Sequence, residues 1–110
     1  MATSKLTEKL RKRVIQNFMD ILILTEMKKG SLSGYDVIGI IHRRFGVLMS
    51  SGTVYSLLSL ERDGLIKGVW NQRKRLYVLS DKGEQNIKTI TKASEEIQNL
   101  LKNITLLNAT

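Results

Sequence analysis

The residues best suited to chemistry lie in the stretch SSGTVYSLLSLERDGLIKG, residues 50 to 68. Ser50, Ser51, Gly52, Thr53, Tyr55, Ser56 and Ser59 give it a series of small hydroxyl donors and acceptors around one phenol. On a helical wheel with Val54 at zero, Leu57, Leu58 and Leu60 fall near about 300°, 40° and 240°. Gly52, Tyr55, Ser56 and Ser59 gather between about 100° and 200°. A contiguous face of small polar groups suits approach to base edges in the major groove of DNA, where bulk would hold the backbone away. The competing reading is that these are cap and surface residues with no further role.

Downstream, LIKGVW and RLYVLS are two strand-like runs separated by NQRK, short enough for a hairpin loop. Arg73, Lys74 and Arg75 sit together at its tip, which suits contact with phosphates. A helix, a turn, a helix and then a basic hairpin is the order of a winged helix-turn-helix. Other chemistry has little to work with. The chain has no Cys and a single His, His42, read as an exposed or half-buried helix residue. Neither a metal site nor a nucleophile with its base can be assembled, so we expect no enzyme, no metal and no cofactor.

Charge points the same way. The 110 residues carry 18 basic and 10 acidic side chains, a net charge of +8, all of it in the first 75 residues. A basic body and a neutral tail fit a polyanionic partner, with nucleic acid ahead of an anionic membrane surface. The alternative is a surplus that serves solubility alone. No apolar run reaches the roughly 20 residues of a membrane span and no signal segment is present, so the expectation is a soluble, cytoplasmic chain.

The elements that would position these residues follow from apolar spacing. Residues Leu6 to Met27 repeat every three or four positions and predict one helix of about five or six turns, closed by Lys28, Lys29 and Gly30. Ser33 with Asp36 forms a capping box for a second helix, with Tyr35, Ile38, Ile41 and Phe45 expected in the core and Gly39 allowing a close neighbour. Ser50 should cap the third helix and Gly64 end it. From Ser80 to about Leu107, Ile87, Ile90, Ser94, Ile97, Leu101 and Ile104 form a heptad seam that fits a second subunit. It could instead fold back onto its own domain. The helix at Lys5 to Ile15 could share that partner, with Arg11 to Arg13 near DNA.

GYD at 34 to 36, SSGTVYSLL at 50 to 58, LERDGLI at 60 to 66, Trp70 and RLYVLSDKG at 75 to 83 together resemble the PadR family of transcriptional regulators. The resemblance spans roughly residues 18 to 83. It implies a prokaryotic, dimeric repressor binding double-stranded DNA at a palindromic operator. The fold implied is mainly α, with a small β-hairpin wing and a long C-terminal dimerisation helix. Residues 1 to 79 would form the DNA-binding domain and 80 to 110 the dimerisation helix, through Ile87, Ile90, Ile97, Leu101 and Ile104. A nonspecific architectural DNA protein is the alternative. The family's aromatic effector pocket finds no aromatic residue on this helix. Relative to the family, Leu60 arrives one residue early, which predicts either a last turn tightened to 3₁₀ geometry or an early helix end. The wing lacks the usual glycines, which predicts a short, stiff hairpin.

Overall fold

The apolar period over residues 6 to 27 builds two helices. In the computed structural model, which describes residues 4 to 105, α1 (Lys5–Asn17) and α2 (Met19–Met27) meet at a bend on Phe18, where φ is −112° and ψ 15°. Backbone bonds continue across the joint, Phe18 N–H to the Val14 carbonyl and Leu22 N–H to that of Phe18. No Gly or Pro marks it in the sequence. Helix α2 runs through the core with Met19, Ile23, Leu24 and Met27 buried, whereas α1 lies on the surface and buries no residue.

Helix α3 (Gly34–Phe45) begins as the sequence predicts. Ser33 Oγ accepts from the Asp36 amide at 3.1 Å, and the Asp36 carboxylate accepts from the Ser33 amide at 2.8 Å. It ends at Gly46, whose φ of +72° is the left-handed cap that glycine adopts freely. The inward face is centred on Val37 and Ile41, with Ile38 and Phe45 half-buried. Tyr35 corrects the expected core set: it lies about 120° from Ile41 around the axis and is 86% exposed. Gly39 admits no close neighbour either, since a Cβ there would meet only the Arg43 guanidinium.

Helix α4 (Ser50–Arg62) is capped by Met49 rather than Ser50. The Met49 carbonyl accepts from both the amide and the hydroxyl of Thr53. Its buried face is Thr53, Ser56, Leu57 and Leu60, so the helix is rotated from the expected phase, and Val54 and Leu58 face out. Leu60 is 3% exposed and the helix remains α-helical to Arg62, so neither the tightened turn nor the early end occurs. Gly64, with φ +77°, closes a Schellman cap in which the amides of Gly64 and Leu65 donate to Glu61 and Leu60.

The chain then forms an antiparallel hairpin of β1 (Ile66–Asn71) and β2 (Lys74–Leu79), in register from Ile66 with Leu79 to Asn71 with Lys74. The loop is Gln72 and Arg73, shorter than the expected four residues, and Gln72 takes a φ of +58°. Two ties hold this hairpin. Leu32 exchanges both backbone bonds with Tyr77, at 3.1 and 2.8 Å. Glu61 accepts from the Gly68 amide at 3.2 Å and from the Arg75 guanidinium at 2.6 Å, while Arg75 lies 5.5 Å from the Trp70 ring centroid and 5.6 Å from that of Tyr77.

Helix α5 (Asp81–Thr105) leaves β2 through Ser80, whose hydroxyl donates to the Gly64 carbonyl and accepts from the Gly83 amide. Gly83 packs so closely on the hairpin base that a Cβ would stand 2.1 Å from the Leu65 carbonyl oxygen. Ile87 is buried in the domain's own core, which corrects its expected place in a subunit seam, and Ile90 is half-buried against it. Beyond them Ile97 and Leu101 are half-buried, while Leu100 and Ile104 are exposed. Leu107 lies outside the described residues.

The capping box gives the fold a readable acid dependence. Donation from the Ser33 amide holds the Asp36 carboxylate below its usual range, so its stabilisation is complete above about pH 4 and fades as pH falls through the lowered folded value. Asp36→Asn should flatten the stability profile below about pH 4, and Ser33→Ala should cost about 1 kcal/mol in urea unfolding at neutral pH. Removing the hairpin tie by Glu61→Ala strands the Gly68 amide and Arg75. It should cost about 1 to 2 kcal/mol and speed amide exchange in β1 and β2.

Candidate nucleic-acid interface

The face that α4 turns to solvent is made of Ser50, Ser51, Val54, Tyr55 and Leu58, with Gly52 and Ser59 half-buried at its margins. Tyr55 is 69% exposed. Thr53 and Ser56 are corrected out of this face: Thr53 is fully buried and Ser56 is 7% exposed. Both hydroxyls are satisfied inside the protein, Thr53 donating to the Met49 carbonyl and Ser56 accepting from Gln16 Nε2. Burying a hydroxyl that keeps its hydrogen bond costs little, so the core takes these two small side chains as readily as apolar ones. Arg62 donates to Ser59 at 3.2 Å, which brings a cation to the far end of the face.

The hairpin stands beside this helix. Gln72, Arg73 and Lys74 are exposed at its tip, and among the described residues neither Arg73 nor Lys74 has a carboxylate within ion-pair distance. Arg75 is corrected out of the tip cluster. Its guanidinium folds back onto Glu61 between two aromatic rings and serves to hold the hairpin on α4.

Between the two elements opens a cleft of about 710 Å³. Ser33, Gly34 and Tyr35 from the start of α3, Ser50 and Val54 from α4, and Arg73 and Lys74 from the hairpin line it. Of the expected helix residues Ser50 alone lines this cleft, together with the three expected wing residues Arg73, Lys74 and Arg75; Ser51 and Tyr55 are exposed on the same helix outside it. Tyr35 and Val54 were missed as part of it. Tyr35 had a signal, since it lies off the Val37 and Ile41 face in the first turn of α3. Val54 had none, because an apolar residue beside Leu57 reads as core. His42 is exposed at the end of α3.

Among the described residues no group of three His, Cys, Asp or Glu side chains could hold a metal ion, and no helix is long and apolar enough to cross a membrane. The seam residues of α5 remain apart from the cleft's lining.

No curated protein sequence matches the chain. Its three-dimensional likenesses are close. A transcriptional regulator from Clostridium thermocellum shares 18% identity over 96% of this chain and 100% of its own, with a TM-score of 0.73. A PadR family regulator from Eggerthella lenta shares 13% identity over 94% and 95%, with a TM-score of 0.75. Bacillus subtilis PadR, solved in complex with operator DNA, shares 26% identity over 64% of this chain and 45% of its own, with a TM-score of 0.56. The model of the Transcriptional regulator PadR-like family matches residues 23 to 89. That match takes in the α4 face, the hairpin and the start of α5, and with it the chain belongs to the PadR-like family of transcriptional regulators.

Proposed function

We propose that the chain is a sequence-specific DNA-binding repressor that acts as a homodimer on a palindromic operator. The observation that carries this reading is the joint exposure of the α4 face and of Arg73 and Lys74, with Ser50 and Val54 of that face lining one cleft with the two cations. Helix α4 enters the major groove with Ser50, Ser51 and Tyr55 toward base edges and Gly52 and Ser59 at the margin. Val54 offers an apolar contact of the kind that recognises a thymine methyl group. Arg73 and Lys74 lie along the phosphates, and Arg75 keeps the wing in place. The operator complex of the Bacillus subtilis relative supports DNA as the ligand. Bound over a promoter, such a dimer represses by occlusion.

Two unpartnered apolar stripes support the dimer. On α1, Leu6, Leu10 and Val14 face solvent at intervals of four; on α5, Leu100 and Ile104 do, beside half-buried Ile97 and Leu101. The radius of gyration is 15.6 Å, against about 13 Å for a compact domain of this length. Helix α5 therefore acts as the dimerisation helix, although its first turns also serve the core. The dimer sets two α4 helices about 34 to 36 Å apart, one turn of DNA.

Ser51→Glu should abolish specific binding while moving stability by less than about 0.5 kcal/mol, whereas Ser56→Glu should unfold part of the domain. Arg73→Ala with Lys74→Ala should lower the slope of log affinity against log salt by about 0.9 per lost contact and leave sequence preference intact. Footprints of these variants on a selected site and a scrambled one test the reading; equal affinity of the wild type for both would make the protein architectural. Asp at both Ile97 and Leu101 should yield a monomer in sedimentation that binds DNA weakly and without selection, since the carboxylates cannot be buried unpaired.

A further inference from the structure

Among the described residues, the side-chain hydrogen bonds between α1 and α4 all come from Gln16. Gln16, half-buried near the end of α1, points its amide at the first turn of α4. Its Nε2 donates to the Gly52 carbonyl at 3.4 Å and to Ser56 Oγ at 3.2 Å. Gly52 is shaped to this contact. A Cβ there would stand 1.9 Å from Gln16 Oε1 and 3.0 Å from its Cδ. The backbone gives no other reason for glycine, because Gly52 is not among the residues of positive φ and a glycine inside a helix is disfavoured against Ala.

The rest of α1 is loosely held. None of its residues is buried, and of its apolar side chains Ile15 alone packs against the core while Leu6, Leu10 and Val14 are exposed. Arg11 adds a bond to the Phe45 carbonyl at the far end of α3. A surface helix with an open apolar stripe on one side thus reaches the recognition helix with a single amide on the other.

We infer that Gln16 is a positioning residue for DNA reading: it sets the height and rotation of the first turns of α4, and so joins the placement of Ser51 and Tyr55 to the seating of α1. The inference rests on α4 being the recognition helix. Ser56 and Gly52 act here as the sockets for Gln16 rather than as groups that meet DNA. A small residue at 52 admits two explanations, room for Gln16 or room for a base pair, and a double-mutant cycle separates them.

The test compares wild type, Gln16→Ala, Gly52→Ala and the double variant. The probe is a duplex carrying the site selected in vitro by the wild-type protein, beside a scrambled duplex of the same length, with thermal unfolding measured in parallel. Loss of the Gln16 bonds should weaken binding to the selected site by about three- to tenfold. Affinity for scrambled DNA and the salt slope should not change, because the phosphate contacts are untouched. Gly52→Ala expels the amide and should lose at least as much. In the Gln16→Ala background the added methyl no longer meets the amide, so the double variant should bind no worse than Gln16→Ala and melt higher than it.

Additive losses on the selected site would overturn the inference, because Gly52 would then be small for the sake of DNA. Equal losses on both duplexes that follow a fall in melting temperature would overturn it too, leaving Gln16 a structural residue. Site selection that survives Ser51→Glu would remove the α4 reading itself and this inference with it. Additive losses while Ser51→Glu still cripples selection remove the inference alone.

Discussion

The rotation of α4 about its own axis is set by the burial of Thr53 and Ser56 beside Leu57 and Leu60, and every functional feature of the domain follows from it. Two hydroxyls can occupy the core because each has a partner there, one the carbonyl of the preceding turn and the other an amide from α1. With that face inward, Ser50, Ser51, Val54 and Tyr55 point out. Had Val54 and Leu58 been the buried pair, as hydropathy prefers, Ser51 and Tyr55 would have been turned away from the face they now share.

The same rotation places Glu61 toward the hairpin. Its carboxylate reaches the Gly68 amide and Arg75 together, so one acidic residue fixes both a backbone position and a side chain of the wing. The bridge between Leu32 and Tyr77 holds the opposite strand to the segment before α3. With both strands secured, the cations left free at the tip are carried on a rigid mount.

Features governed by neighbours in sequence were legible from it. The Ser33 and Asp36 box, the glycine at 64 and the existence of the hairpin depend on residues within a few positions of each other, and each was found, the hairpin with a loop two residues shorter than expected. Features governed by contacts across the chain were not. Phe18 carries no mark of the bend it makes, and Tyr35 resembles a core aromatic until the neighbouring helices are in place. Arg75 looks like its two basic neighbours, and only a partner 14 residues away separates it from them. The clue lay in Glu61, which at about 340° falls between Leu57 and Leu58 on the wheel, a place where a charge needs a cation opposite it. The heptad seam was read as one property of α5, yet Ile87 and Ile90 serve the core and the positions beyond them do not.

The junction at Ser80 and Gly83 fixes more than the start of a helix. With the serine hydroxyl bonded to the Gly64 carbonyl and the glycine pressed against that of Leu65, α5 leaves the hairpin in one direction. Its 25 residues extend about 37 Å, so a tilt of roughly 5° at the base would swing the far end by roughly 3 Å. In the proposed dimer that end meets a second subunit, and an error there is an error in the distance between two reading heads. In that proposed dimer the missing Cβ of Gly83 works as an alignment tolerance: the smallest side chain in the protein would calibrate the span over which a pair of half-sites is measured.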